Sequence, residues 1–359
     1  MVWRRKVPAI IAFTGLVSTS FTIYWNAKKM QEFLSLYVCK KAASAYGISL
    51  EAEKVSFNRG HFSFDEGRII RSVSGSRNYS AFDITFENVS FQISLSRWIR
   101  RKGLVASCSL KGIRGTIDRK HIDFKKSRDF KEIRKEVFFD IEDFKISDLL
   151  VTVQSGNNFR SFNISILSAF LPRMRSEWVL FDIMMAESIV GIFDKSLFSL
   201  HSRQNLPKWR HFKIDGLKVD HLGGNNENPM SWFDRGVIDI DAGWSLEGSD
   251  LRLKFDSTLK DLHAMHFPIQ NIFKAAISRP LVAYLNDTRP FVTLSDILMF
   301  KTETFRNCWT LYDSEMSIKL AQNIKKQLLE KAEANRAEGM RSVGLWSLWQ
   351  LIRGVSAIT

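Results

Sequence analysis

The sequence predicts a mainly β fold with flanking helices (α+β). Its centre is a long, curved, mostly antiparallel sheet forming an apolar groove, with a transmembrane helix at the N-terminus. Three observations predict this. Apolar residues recur with a period of two from Leu50 to about Val292, the pattern of strands with one apolar and one polar face. Few amphipathic helices lie in that stretch to cover the apolar face, so the sheet must fold over itself or leave a groove. An uncharged run from Val7 to Ala27 precedes it, long enough to span the hydrocarbon core as a helix.

The N-terminal elements follow in order. Residues 1–6 form a short basic N-terminus, and Arg4, Arg5 and Lys6 flank the apolar run 7–27. Lys28 and Lys29 flank its other side, and Tyr24 and Trp25 stand at that edge, where amphipathic rings prefer to sit. A cleaved signal peptide is the competing reading, but no A-x-A site follows the run. A linking helix is expected over 28–49. There Met30, Phe33, Leu34, Tyr37 and Val38 keep helical spacing and Gly47 is a stop.

The β-rich domain is expected over 50–312. Its strands share one grammar: an alternating apolar pair, an interruption of two or three residues, then another alternating pair. Phe82, Ile84 and Phe86 share a phase, and Val89, Phe91, Ile93 and Leu95 take the other, with a slip near Glu87 and Asn88. Phe139 and Ile141 share one phase, Phe144 and Ile146 the other, and Leu149, Val151 and Val153 return to the first. Phe212 and Ile214 change phase to Leu217 and Val219, whereas Ile238, Ile240, Trp244 and Leu246 keep theirs. Ser161–Leu171 and Met174–Lys195 fit neither helix nor strand cleanly, and Ile269–Ile277 is a short helical candidate. Gly223–Pro229 reads as a loop.

The charge is uneven. The chain of 359 residues carries a net +14, which favours an anionic partner over an acidic one. Between Arg97 and Lys135 there are 14 Lys or Arg against 4 Asp or Glu. Nucleic acid is one reading of such a patch, but no helix-turn-helix, zinc-finger or RNP-like motif accompanies it, and direct nucleic-acid binding is not expected. Beside a membrane segment, anionic lipid head groups are the simpler target.

At the C-terminus, a helix is expected over 313–340, with Ser314 as its cap and Leu320, Ile324 and Leu328 on one face. The segment 341–359 is too short to span a membrane as a conventional helix. It reads as an amphipathic or membrane-associated helix, with Leu345, Leu348, Trp349, Ile352 and Val355 on one side.

Candidate groove residues are Phe82, Ile84, Phe86, Phe91, Ile93, Leu104, Leu110, Ile141, Phe144, Ile146 and Val151. Candidate head-group ligands are Arg97, Arg100, Arg101, Arg114, Arg119, Lys120, Lys125 and Lys126. Trp25, Trp98, Trp346 and Trp349 are candidate interfacial anchors. Within Leu104–Phe124, Leu104, Ala106, Cys108 and Leu110 are expected to face inward, and Gly112 and Gly115 to shift the phase to Ile113 and Ile117. Cys39, Cys108 and Cys308 form no disulfide framework. No CxxC or HExxH is present, and no further metal ligands stand at a recognisable spacing from His263 and His266, so no metal or cofactor is expected. No motif supports a nucleophile or a phosphate loop, and an enzyme is not expected.

Several stretches resemble one family. They are "FENVSFQISLSRWIRRKGLVASCSLKGIRGTIDRKHI", "RPLVAYLNDTRPFVTLSDILMF", "CWTLYDSEM" and "RSVGLWSL". The most specific phrase is "LKGIRGTIDRKH" at Leu110–His121. Together they resemble the fungal mitochondrial distribution and morphology proteins of the inner membrane, the paired type numbered thirty-one and thirty-two. That family is distantly similar to AsmA-like and bridge-like lipid-transfer proteins. The resemblance implies an inner-membrane protein with its main domain in the intermembrane space. It implies roles in mitochondrial shape, distribution, nucleoid maintenance and phospholipid homeostasis. The expected partners are the membrane, anionic phospholipids and proteins of the inner membrane or intermembrane space, a paralogue among them. The family is also expected to carry a long Arg- and Ser-rich leader, whereas here the apolar run begins at Val7. Two other readings stand beside this one: a basic membrane tether for nucleic acid, and a structural scaffold that transfers no lipid.

Overall fold

Alternating apolar residues pair best with other alternating strands, and here they do so across one sheet. The computed structural model describes residues 47–58, 60–72, 80–120, 139–155, 161–203, 206–218, 233–264 and 291–308. It also describes individual residues between 36 and 44 and between 311 and 334. The segment 7–27, the loop at 223–229, the candidate helix 269–277 and the segment 341–359 lie outside these, as do Lys125, Lys126, Trp25, Trp346 and Trp349. No helix among the described residues is long and apolar enough to cross a membrane.

Twelve strands form one curved, unclosed sheet in the order of the chain. They are β1 (Ser49–Asn58), β2 (His61–Arg71), β3 (Ala81–Ile93), β4 (Val105–Arg119), β5 (Asp140–Ser155) and β6 (Phe162–Arg175), followed by β7 (Ser188–Phe193), β8 (Ser196–Arg203), β9 (Leu206–Lys218), β10 (Phe233–Glu247), β11 (Asp250–Ala264) and β12 (Phe291–Lys301). Each neighbouring pair is antiparallel except β4 and β5, which run parallel. Parallel strands need a crossover, and the chain between them is the basic stretch after Lys120.

The register turns the sequence grammar into geometry. One apolar row crosses eleven strands: Val55, Phe64, Val89, Leu110, Ile146, Ala169, Ile189, Leu200, Phe212, Ala242 and Phe255 stand opposite one another in turn. A second row runs Phe57, Phe62, Phe91, Cys108, Phe144, Leu171. Its rings touch: Phe57 and Phe62 lie 4.5 Å apart, Phe62 and Phe91 5.3 Å.

The interruptions also align. Glu53, Glu66, Glu87, Gly112, Asp148 and Leu167 fall between paired residues on β1 to β6, and together they form one seam across six strands. Glu66, Gly112 and Asp148 have positive φ, at 49°, 64° and 58°. At the seam every strand moves its apolar set to the other phase, so the same face stays apolar on both sides. Bulges bend a strand and raise its twist, so a seam of them contributes to the curvature of the sheet. Gly112 takes as a glycine the left-handed backbone that Glu66 and Asp148 reach as acidic residues. Gly115 serves a different need, since a Cβ there would meet the Asp83 carbonyl oxygen at 2.1 Å.

Two clusters divide the apolar face. The C-terminal one is buried. Against β6–β12 lie a short helix (Val179–Met184), the turn Thr302–Phe305, and the helical residues Met316, Leu320 and Ile324. Trp244 Nε1 donates to the Met184 carbonyl at 3.1 Å, and Leu328 is fully buried. The helix face expected of Leu320, Ile324 and Leu328 is therefore the one packed inward. The Ser314 hydroxyl at its start donates to the Leu311 carbonyl at 2.7 Å. The linking helix is present at its described residues between 36 and 44. It ends at Gly47 with N–H bonds from Gly47 to Ser44 and from Ile48 to Ala43, the paired bonds of a Schellman stop.

The two ambiguous segments resolve into β6, a turn at Ser176–Trp178, the short helix and β7. In β6, Phe162, Ile164 and Ile166 alternate, Leu167 bulges, and Ala169 and Leu171 resume. The bulge breaks the period in the middle and disguises the strand.

Candidate functional site

The N-terminal cluster is the open one. Among its members only Phe64, Phe86, Ile113, Val151 and Val153 are buried. Leu50, Val55, Phe62, Ile69, Ile84, Val89, Phe91, Leu110, Ile117 and Leu149 remain half-buried around them. Among the described residues outside the sheet, Leu36 and Cys39 of the linking helix pack there. Full burial of each such side chain contributes about 1.5–3 kcal/mol, so the exposed part is contact that the described chain leaves unmade. Over β1–β5 the sheet therefore keeps an apolar face that is only partly covered.

Of the candidate groove residues, Ile84, Phe86, Phe91, Leu110 and Val151 belong to this cluster, Phe144 and Ile146 pack against the C-terminal one, and Phe82, Ile93 and Ile141 belong to neither. Phe86 and Val151 are buried, and Phe82, Ile84, Phe91, Ile93, Leu110, Ile141, Phe144 and Ile146 are half-buried. Leu104 is a correction. It precedes β4, is 41% exposed and belongs to neither apolar cluster. Its carbonyl accepts from the Ser94 N–H at 2.9 Å, which closes the β3–β4 connection outside the ladder. Elsewhere in "LVASCSLKGIRGTI", Leu110 packs in the cluster before Gly112, and Ile113 and Ile117 pack there after it; the phase changes at Gly112 alone, not at Gly115.

The cysteines are quiet. Cys108 sits in the second apolar row, and burial pushes its thiol up to about 11. Cys39 is raised by the same cause. Among the described residues no group of His, Cys, Asp or Glu could hold a metal ion.

The basic residues divide between the two ends of the sheet. β4 has fifteen residues, about 50 Å at strand rise. Arg100 and Arg101 lie before its start and are exposed, whereas Arg119 and Lys120 lie at its far end, the first half-buried and the second exposed. One continuous head-group rim is thus not what the fold builds.

Two of the arginines are corrections. Arg97 is drawn into the protein, with its side chain 11% exposed. It donates to the Asp140 carbonyl at 2.6 Å and pairs with Glu142. Arg114 donates to the Asp148 carbonyl at 2.7 Å and to the Asp148 carboxylate at 2.5 Å. It closes the seam on the polar face, where Lys111 and Glu87 pair at 3.6 Å. Both arginines serve the fold, because a carboxylate of the chain already answers each charge.

The partner of Arg97 belongs to a larger cluster that the sequence did not signal. Asp140 is buried and accepts from Arg173 Nε at 2.9 Å and Nη2 at 2.7 Å. The Arg173 hydrogen bond, then the Arg173, Arg97 and Arg175 charges, hold its carboxyl below the usual range despite burial. Asp182 accepts from Arg175 beside it, through the backbone N–H at 2.7 Å and Nε at 3.0 Å. Asp140 stands 33 residues from Arg173 in sequence, so no local motif marks that pair.

The sequence also missed a short tip helix (Leu95–Ile99) between β3 and β4. Trp98, an anchor candidate, is exposed on it together with Leu95 and Ile99. The signal was the spacing of Leu95, Trp98 and Ile99, at i, i+3 and i+4.

The family model described as yeast mitochondrial distribution and morphology (MDM) proteins matches residues 39–264 and 245–356. The chain belongs to that family. Mitochondrial distribution and morphology protein 31 of Saccharomyces cerevisiae is 25% identical over 397 residues, covering 91% of this chain and 68% of the relative. Its namesake in Schizosaccharomyces pombe is 28% identical over 323 residues, covering 76% of this chain and 53% of the relative. Relatives numbered 32 match as well. That of Vanderwaltozyma polyspora is 24% identical over 45% of this chain and 27% of its own length. Both numbered types of the distribution and morphology family are therefore similar to this chain, and the matches span only part of each relative.

Proposed function

We propose that the chain organises mitochondrial membranes and supports mitochondrial morphology and distribution, and with them nucleoid maintenance. In this reading it is a non-catalytic protein of the inner membrane, its sheet in the intermembrane space, and it binds phospholipid acyl chains along a trough over β1–β5. The family supports the mitochondrial part, since its members are named for distribution and morphology. One observation carries the lipid part: apolar rows run across an unclosed sheet and stay half-buried over β1–β5. An acyl chain needs a long, continuous apolar surface and no specific polar partner, which is what such rows offer. The likeness to AsmA-like and bridge-like lipid-transfer proteins, the uncharged segment 7–27 and a paralogue as partner belong to the same proposal.

The test is complementation. A fungal strain lacking its own relative is given the full chain, or the chain with Val89→Asn and Phe91→Asn, at equal expression. The unaltered chain is expected to restore mitochondrial shape and the variant to fail, although both fold by circular dichroism. Full rescue by the folded variant would remove the apolar trough from the function.

A further inference from the structure

We infer that the β3–β4 connection, Ser94–Leu104, is a docking tip for a bilayer surface bearing anionic phospholipids. The inference rests on the membrane reading above and says where the sheet meets the bilayer.

The tip helix is turned inside out. Helices at protein surfaces ordinarily bury their apolar stripe and expose their charges. Here Leu95, Trp98 and Ile99 lie on one face and are 66%, 63% and 75% exposed. The charged side faces inward, because Arg97 is held by the Asp140 carbonyl and Glu142. That clamp fixes the orientation, so the apolar face cannot turn toward the core. Leu104, 41% exposed, adds to the same projection.

The charge beside it selects the occupant. Arg100, Arg101 and Lys102 follow the apolar face directly and are exposed. The first turn of the helix has no acidic residue, and the nearby Asp140 and Glu142 are engaged by Arg97. An apolar wedge with an indole, ringed by cations, matches the boundary between head groups and acyl chains. A neutral protein groove would fit the apolar residues but leave three cations unanswered.

The backbone makes the same point. Lys102 N–H donates to the Arg97 carbonyl and Arg101 N–H to the Trp98 carbonyl, both at 3.0 Å. These are the two bonds of a Schellman stop, with Arg101 at the left-handed position, φ 57°. Glycine is the usual residue there. An arginine carries strain at that place and presents a cation.

That strain provides the test. The full chain is held in amphipol and titrated with vesicles of phosphatidylcholine, with or without phosphatidylglycerol, while peptide-resolved hydrogen exchange follows 94–104. Exchange in the tip is expected to slow only with phosphatidylglycerol, and high salt should reverse it. Arg101→Gly removes one cation and relieves the backbone. It is expected to hold or raise the melting temperature while weakening vesicle affinity about fivefold. Leu95→Ser with Ile99→Ser is expected to abolish the slowing. No slowing, or equal slowing with both vesicles, would overturn the inference. Slowing that instead follows protein concentration without vesicles would assign the tip to a second copy and overturn it too. Lipid extracted from the same samples separates the readings: loss of docking with lipid still bound in the trough defeats the tip alone.

Discussion

Single residues at close approaches are the sharpest places to test the fold. A methyl group at Gly115 would press on the backbone of Asp83 and Ile84, the neighbouring strand itself. Gly115→Ala is therefore expected to cost about 1–3 kcal/mol as an overpacked contact, read as a lower midpoint in urea. Asp140 gives a pH signature. Its carboxyl titrates below the ordinary value near 3.9, so its contribution is complete above that value. It is lost as the pH falls through the lowered one. Asp140→Ala would remove the carboxylate that Arg173 holds and that lies 4.0 Å from Arg97, and is expected to cost about 1–3 kcal/mol. It should also flatten the acid limb of the stability curve, measured by thermal melts between neutrality and strong acid. Cys108 makes the simplest chemical prediction. With its thiol pushed to about 11 it is protonated at neutral pH, so alkylation mapped by mass spectrometry should be slow there and rise in alkali.

At the scale of elements, the strands were legible because each keeps a period of two on either side of its interruption. Phe82, Ile84 and Phe86 before Val89 and Phe91 announced β3 and its slip at Glu87. Phe144 and Ile146 before Leu149 and Val151 announced β5 and Asp148. That the slips align into one seam was not legible, because alignment depends on register between strands far apart in sequence. Leu167 hid β6 for a related reason: an apolar residue at the bulge erases the contrast that marks a strand. The tip helix was missed because it reverses the usual rule, burying an arginine and exposing a tryptophan. Arg97 thus looked like a head-group ligand, although Asp140 and Glu142, more than forty residues away in the chain, claim it. The clamp predicts a local effect. Arg97→Lys keeps the charge but not the planar fork. Hydrogen exchange is expected to quicken in 95–102 while β3 and β4 stay protected, and unchanged exchange in the tip would remove Arg97 from its positioning.

At the scale of the whole molecule, one sheet carries two kinds of apolar face. Over β6–β12 the short helix, the turn at Thr302–Phe305 and the C-terminal helical residues complete a core. Over β1–β5 the same rows continue half-buried. The seam adds to the curvature of this half, and the tip helix lies in the β3–β4 connection at one end of it. The edge strands are guarded differently. β1 carries Glu51, Glu53 and Lys54, charges that discourage further pairing. At β12, Gln327 donates to the Ser295 carbonyl at 3.3 Å, and Asn323 pairs with Asp296. The division predicts that lipid, when present, is found on the N-terminal half. The most direct measurement is native mass spectrometry of the full chain released from mild detergent, followed by lipid extraction, beside the Val89→Asn, Phe91→Asn variant. Phospholipid at a fixed ratio on the unaltered chain, and its loss from the folded variant, is the expected result. A stable chain that carries no lipid, or lipid kept equally by the variant, would contradict a lipid-binding trough.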